Sequence, residues 1–263
     1  MTLLAADRIE VSRGGMPVLR AVSFALQAGE LVGLLGANGA GKSTLLGALA
    51  GELSAGAGRV TLDGVDVREL GPRRLARRRA VLPQRPALDF DLAVADVVEM
   101  GMYPFPGLPA GAVADTAARA LALAGASAFA GRRYLQLSGG EQQRVQYARV
   151  LAQCLAGREP GEARALLLDE PVSGLDPLHQ HRLLSGAAQL ARAERVGVLA
   201  VLHDVNLAAR WCDRLLLLAG GGIAACGAPA EVLTAATLER VFGMPATLLP
   251  HPGAPGRPLV VFG

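Results

Sequence analysis

The run Gly36-Ala37-Asn38-Gly39-Ala40-Gly41-Lys42-Ser43-Thr44 has the spacing GxxxxGK[ST], directly after the apolar stretch LVGLL and at the start of a helical pattern. Gly39 and Gly41 let backbone N–H groups turn inward without a Cβ in the way. The helix that opens here adds the partial positive charge of its N-terminus, so such a loop holds a polyphosphate mostly by main chain. Lys42 is the sole lysine among 26 basic residues; all the others are arginine. A planar guanidinium is too bulky for a loop wrapped around phosphates, whereas a compact ammonium on a flexible stem reaches between the β and γ groups. Ser43 brings a hydroxyl suited to Mg²⁺.

A second group is the carboxylate pair Asp169-Glu170, at the end of the apolar run ALLLDEP. Adjacent carboxylates repel unless a cation or a basic partner sits nearby. Next to a phosphate loop, Asp169 is the natural Mg²⁺ partner through water, and Glu170 the natural group to polarise an attacking water. A third group is Leu137-Ser138-Gly139-Gly140-Glu141, ahead of the helical run QQRVQYARVLAQ. Ser138 and Glu141 have the spacing of a capping box. That leaves two glycines in a first helical turn, each costing up to about 1 kcal/mol of propensity, and they make sense where the helix end must approach another surface closely. His179 and His181 are two apart and point in different directions on a helix, which speaks against a metal pair.

The elements that must hold these groups follow from periodicity. Strands are expected over Ile9–Ser12, Val18–Leu26, Leu31–Leu35 and Arg59–Gly64, and a helix from Lys42 to Ala50 that stops at Gly51. Beyond Leu88 the pattern is helical as far as Gly161. Strand and helix then alternate: 165–169, a helix near 178–195, 198–202, a helix near 205–212, and 215–218. This predicts an α/β chain with a mainly parallel sheet covered by helices and a helical subdomain inserted into it. The expected division is 1–87 with 162–263 as core and 88–161 as helical insert, all within one 263-residue domain.

Composition narrows the possibilities. A hydrophobic fraction of 51% with 19% charge describes a folded globular chain. No apolar run approaches the roughly 18 residues that cross a bilayer, and the first residues lack the pattern of a secretory signal. Cys154, Cys212 and Cys226 show no metal-ligand spacing and predict reduced thiols in the cytosol. The net charge of +3 is densest in PRRLARRR (72–79), expected to be a solvated helix face. Aromatics make up 4% and do not alternate with the arginines, which argues against nucleic acid as a partner.

Together, the phosphate loop, Gln84 in VLPQ, LSGGE, LLLDEP, SGLD (173–176) and His203 in VLHD occur in the order of ATP-binding cassette ATPases, which the chain resembles over nearly its full length. The resemblance implies a P-loop NTPase, RecA-like core with an antiparallel β region and an inserted helical subdomain, and ATP and Mg²⁺ as cofactors. It implies that His203 contacts the γ-phosphate and holds Glu170 and the water. It also implies that Gln84 stands near the Mg²⁺ with Ser43 and Asp169, and links the nucleotide to the helical subdomain. Ser138, Gly139 and Gly140 would close over the ATP of a second copy in a head-to-tail dimer, with Asp176 communicating between the two sites. Arg13 stands where relatives usually carry an aromatic that stacks on adenine; a guanidinium can also stack on a base. The C-terminal half, HDVNLAARWCDRLLLL and ACGAPAEVLTAATLERVFG, resembles importers of iron chelates and cobalamin. GEQQRVQYARVLAQ with the linker CLAGREPGEARA looks closest to haem importers. Such an importer pairs two ATPase copies with two transmembrane permease subunits and, indirectly, a periplasmic haem-binding protein, at the cytoplasmic face of the inner membrane. A soluble cassette ATPase of DNA repair or translation is the competing class; the chain has neither a heptad insert nor a second cassette.

Overall fold

The computed structural model describes residues 2–84, 88–159 and 161–263. The expected division at residue 87 lies outside the described residues. A long antiparallel hairpin opens the chain, β1 (Thr2–Arg13) and β2 (Met16–Gln27), turned at Gly14-Gly15. Both strands run further than expected. In β1 the backbone at Arg8 is left-handed (φ +47°) and the pairing slips between Ala6 and Ile9, so the alternation that marks a strand is broken. Next come β3 (Leu31–Gly36), α1 (Lys42–Leu49), β4 (Ala57–Leu62), the two-residue β5 (Val65–Asp66), α2 (Pro72–Arg78) and β6 (Arg79–Leu82).

Among the described residues, three α-helices lie between β6 and the next strand: α3 (Val94–Glu99), α4 (Ala110–Leu123) and α5 (Gly139–Leu155). The chain then alternates through β7 (Arg164–Asp169), α6 (Pro177–Glu194), β8 (Val196–Val201), α7 (Val205–Trp211) and β9 (Arg214–Ala219). It closes with β10 (Gly222–Gly227), α8 (Pro229–Val232), α9 (Ala235–Phe242) and the hairpin β11 (Ala246–Pro250) and β12 (Pro258–Phe262).

The main sheet has the order β10-β9-β3-β8-β7-β6, parallel from β9 to β6 with β10 antiparallel at the edge. A second, antiparallel sheet has the order β2-β1-β4-β5. The period of two in the buried strands divides the core. In β7, Leu166 and Leu168 join the helices on one face, while Ala165 and Leu167 pack with α1 and the antiparallel sheet on the other. A strand buried on both faces reads as an unbroken apolar run, as LVGLL and ALLL do.

The basic run 72–79 behaves only in part as a solvated helix face. In α2 only Leu75 is buried, but Arg79 leaves the helix and opens β6, its Nε donating to the Ala50 carbonyl at 2.6 Å. Arg78 lies between Asp63 and Glu162 rather than in solvent. The helix ends because the next residues are needed as an edge strand beside β7.

Candidate active site

The carboxyl ends of three neighbouring parallel strands, β3, β8 and β7, carry the chemistry, the usual location for ligands in such a sheet. β3 ends in the phosphate loop, which is wedged between β9 and β2. A Cβ on Gly36 would stand 2.6 Å from the Leu218 carbonyl oxygen. Gly41, at φ +101°, would put a Cβ 2.8 Å from Leu19 Cδ2. Only glycine fits these two places, and the loop is fixed by its surroundings. Ala40 N–H closes its tip on the Ala37 carbonyl at 3.2 Å, with Asn38 and Gly39 exposed between them.

Lys42 opens α1 with its side chain turned back into the loop. Nζ donates to the Gly36 and Ala37 carbonyls at 2.8 and 3.0 Å, and the residue is only 7% exposed. Burial lowers its pKa from the ordinary lysine value, against the opposing charges of Glu170 and Asp169. Thr44 is buried in the same turn. Ser43 Oγ donates to Asp169 Oδ1 at 3.3 Å.

The two carboxylates at the end of β7 are pushed in opposite directions. Burial raises Asp169 above the usual carboxylate range, with the Ser43 hydroxyl pulling the other way and Glu170 adding to the rise. A buried carboxylate beside a hydroxyl, its pKa held above the ordinary value, is a donor set that a divalent cation would relieve; the residues fit Mg²⁺. Glu170 is also pushed up by its burial, but hydrogen bonds from His203 and Gln84 and the charges of His203 and Lys42 outweigh that and hold it below its ordinary value. Its Oε1 lies 2.7 Å from His203 Nε2. The two neighbouring carboxylates thus stand in different environments: Asp169 is disposed to share its charge with a cation, and Glu170 stays ionised and able to accept a hydrogen bond.

Glu170 sits in the left-handed region at φ +51°, a conformation that costs a non-glycine residue about 1 kcal/mol or more and persists only where surroundings impose it. His203 is fixed just past β8 by its neighbour Asp204, which caps α7 by accepting from Asn206 N and Leu207 N at 2.7 and 2.9 Å. Gln84 follows the end of β6. The fold therefore gathers Lys42, Ser43, Gln84, Asp169, Glu170 and His203 around one loop.

Other expected residues stand elsewhere. Ser138 and Gly139 are exposed at the start of α5. Glu141 Oε2 accepts from the Ser138 N–H at 2.8 Å, the half of a capping box that Glu supplies, and from Ser138 Oγ at 2.8 Å. Among the described residues the glycines have no such account. A Cβ on Gly139 would meet nothing within 4 Å, and one on Gly140 would make only ordinary contact, 3.4 Å from the Gly174 carbonyl. Nothing among the described residues requires glycine at these two places. Arg13 is exposed at the end of β1, paired across the hairpin with Met16, which is 70% exposed. Asp176 caps α6 through His179 N at 2.9 Å and holds His179 Nδ1 at 2.8 Å. His181 Nδ1 instead accepts from Trp211 Nε1 at 3.0 Å. The two histidines serve separate contacts, and among the described residues no group of three or more His, Cys, Asp or Glu is placed to hold a metal.

One feature had no signal in the sequence patterns. A cavity of about 740 Å³ is lined by Pro72, Arg73 and Ala76 of α2 and by Met102, Tyr103, Pro104 and Pro106 beyond α3. Tyr103 is 90% exposed, an aromatic on the rim of an apolar hollow. Among the described residues no helix is long and apolar enough to cross a membrane.

Residues 19–173 match the ABC transporter family. Over 258 residues, 98% of each chain, the sequence is 58% identical to the hemin import ATP-binding protein HmuV of Bordetella pertussis. It is 49% identical over 262 residues to the protein of the same name from Pseudomonas fluorescens, covering 98% of this chain and 99% of that one. A metal-chelate type ABC transporter solved in an inward-facing conformation superposes with a TM-score of 0.80 at 25% identity, over all of this chain and 97% of that one. A dimeric bacterial ABC transporter cassette superposes with a TM-score of 0.75 at 25% identity, over 86% of this chain and 98% of that one.

Proposed function

The chain belongs to the ABC transporter ATPases, enzymes that bind and hydrolyse ATP, and we propose that it powers a bacterial importer of haem. The observation that carries the cargo is the 58% identity, along nearly the whole chain, to a protein named for hemin import.

In this reading the loop from Gly36 to Thr44 wraps the ATP phosphates by main chain, and Lys42 leaves its loop carbonyls for the β and γ groups. Glu170, kept ionised by His203 and Gln84, accepts a hydrogen bond from the attacking water and aims it at the γ-phosphate. His203 holds Glu170 in place and faces the γ-phosphate itself. Ser43, Asp169 and Gln84 would hold Mg²⁺, which when bound neutralises developing phosphate charge. Arg13 lies against the base.

Ser138, Gly139 and Gly140 close over the ATP of a second copy arranged head to tail; the open space where a Cβ on Gly139 would be supports this. Residues 88–161 form the helical subdomain that moves against the core formed by 1–87 and 162–263. The hollow rimmed by Tyr103 receives a permease subunit, two per dimer, at the cytoplasmic face of the inner membrane, and a periplasmic haem-binding protein delivers the cargo outside. No residue of this chain touches haem.

The test is reconstitution with the permease in liposomes, following entry of haem offered on its binding protein. Haem should enter only with ATP, and the binding protein should stimulate hydrolysis. Entry of a ferric siderophore or cobalamin in place of haem leaves the importer and removes the haem assignment. Absence of any permease association removes the importer reading.

A further inference from the structure

Arg164, the first residue of β7, is 2% exposed and lies under the C-terminal end of α5. Its Nη1 donates to the carbonyls of Gln153, Cys154 and Ala156 at 3.1, 3.3 and 2.6 Å. Its Nη2 donates to the Gly157 carbonyl at 3.2 Å and to Glu162 Oε2 at 3.0 Å. The Phe105 ring covers the guanidinium, 4.8 Å from Cζ to centroid. The last carbonyls of a helix have no partners within it and carry the negative end of its dipole, so a buried cation there is held by both hydrogen bonds and field. A second tie joins the same end to the core, where Gln153 Nε2 donates to the Ala76 and Arg79 carbonyls at 2.8 and 3.2 Å.

The other end of α5 is different. Ser138 and Gly139 are exposed there, and the nearest side-chain tie to the core is Gln143 Nε2 to the Pro171 carbonyl, a long 3.4 Å. The helix has 17 residues, an arm about 25 Å long, tied to the core by several side-chain hydrogen bonds at its C-terminal end and by fewer at its N-terminal end, where Gly140 stands near the Gly174 carbonyl. β7 holds the root with Arg164 at its start and carries Asp169 at its end, with Glu170 next. One six-residue strand thus connects the arm to the hydrolytic carboxylates.

We propose that Arg164 is a positioning residue for ATP hydrolysis: it sets the angle of α5, and so where Ser138–Gly140 stand when a second copy presents its nucleotide. This rests on the reading that those residues close over the partner's ATP. Arg164 touches neither nucleotide and acts through the arm. A lysine would keep the charge, but its ammonium lacks the planar fork that spans four carbonyls and a carboxylate.

The test uses the full chain. In a Glu170→Gln parent, ATP should drive dimerisation, measured by analytical ultracentrifugation. A parent that stays monomeric sinks the reading of Ser138–Gly140 and leaves Arg164 without a reaction to position. Where the parent dimerises, Arg164→Lys is added, and is also made alone in the chain with Glu170 intact. Monomer affinity for a fluorescent ATP analogue should stay within about twofold, while dimerisation weakens about tenfold and kcat falls with it. Unchanged dimerisation and kcat would overturn the proposal, and so would nucleotide affinity falling as far as dimerisation, which marks general loosening. Should Arg164→Lys not fold, Glu162→Gln keeps the guanidinium and weakens one of its five bonds. The same pattern is then expected at about two- to threefold, and the same two outcomes would overturn it.

Discussion

A buried ammonium between two carbonyls is a demanding position, and it explains a preference that composition only hints at. The Lys42 Nζ has two backbone acceptors at 2.8 and 3.0 Å and almost no exposure. A guanidinium brings the same charge with more volume and a plane that this loop cannot admit without moving Gly36 or Gly41, both already in contact with their neighbours. Lys42→Arg should therefore lower kcat/KM by about 100-fold or more, close to the effect of Lys42→Ala, in a phosphate-release assay. Near-normal turnover would mean that charge alone is selected. Most of the residues gathered at the site were legible from spacing because phosphate chemistry restricts which side chains can serve. The opposite shifts of Asp169 and Glu170 were not. They arise from burial and from His203 and Gln84, which reach the pair from β8 and β6, and no local pattern encodes those approaches.

The elements that were legible are those in which burial on both faces leaves an unbroken apolar run, such as β3, β7 and β8. Those that were missed had their pattern interrupted. β1, expected only over Ile9–Ser12, is broken by the left-handed Arg8, β6 starts inside a run of arginines, and β11 ends on Pro250 while β12 begins at Pro258. Helix ends follow the rules more closely. Asp176 caps α6, and the helix stops at Arg195, which takes the left-handed conformation (φ +51°) favoured by glycine at this place. Arg195 is exposed and its side chain makes no hydrogen bond or ion pair among the described residues. Arg195→Gly should relieve this strain and stabilise the chain by about 1 kcal/mol, raising the melting temperature by roughly 2–4 °C without changing ATPase activity. A lower melting temperature would show that the guanidinium makes contacts that outweigh the strain.

At the scale of the whole molecule, the hollow between α2 and the turn at Tyr103 lies apart from the nucleotide loop. Tyr103→Glu places a charge on an exposed rim, where substitutions cost at most about 0.5 kcal/mol of stability. The isolated chain should keep its fold and its basal hydrolysis, but should no longer co-purify with the permease or be stimulated by it. Unaltered co-purification would move the docking face elsewhere. The sheet order has a further result, for the protein's own biosynthesis. GANGAGKST leaves the ribosome early, yet β3 is braced by β8 and β9, with Leu31 against Val198, Val32 against Arg214 and Gly36 against Leu218. Pairings between such distant segments form late. A chain halted after its helical segment carries the phosphate loop without the strands that hold it, so an unfinished copy should not bind nucleotide as the finished chain does.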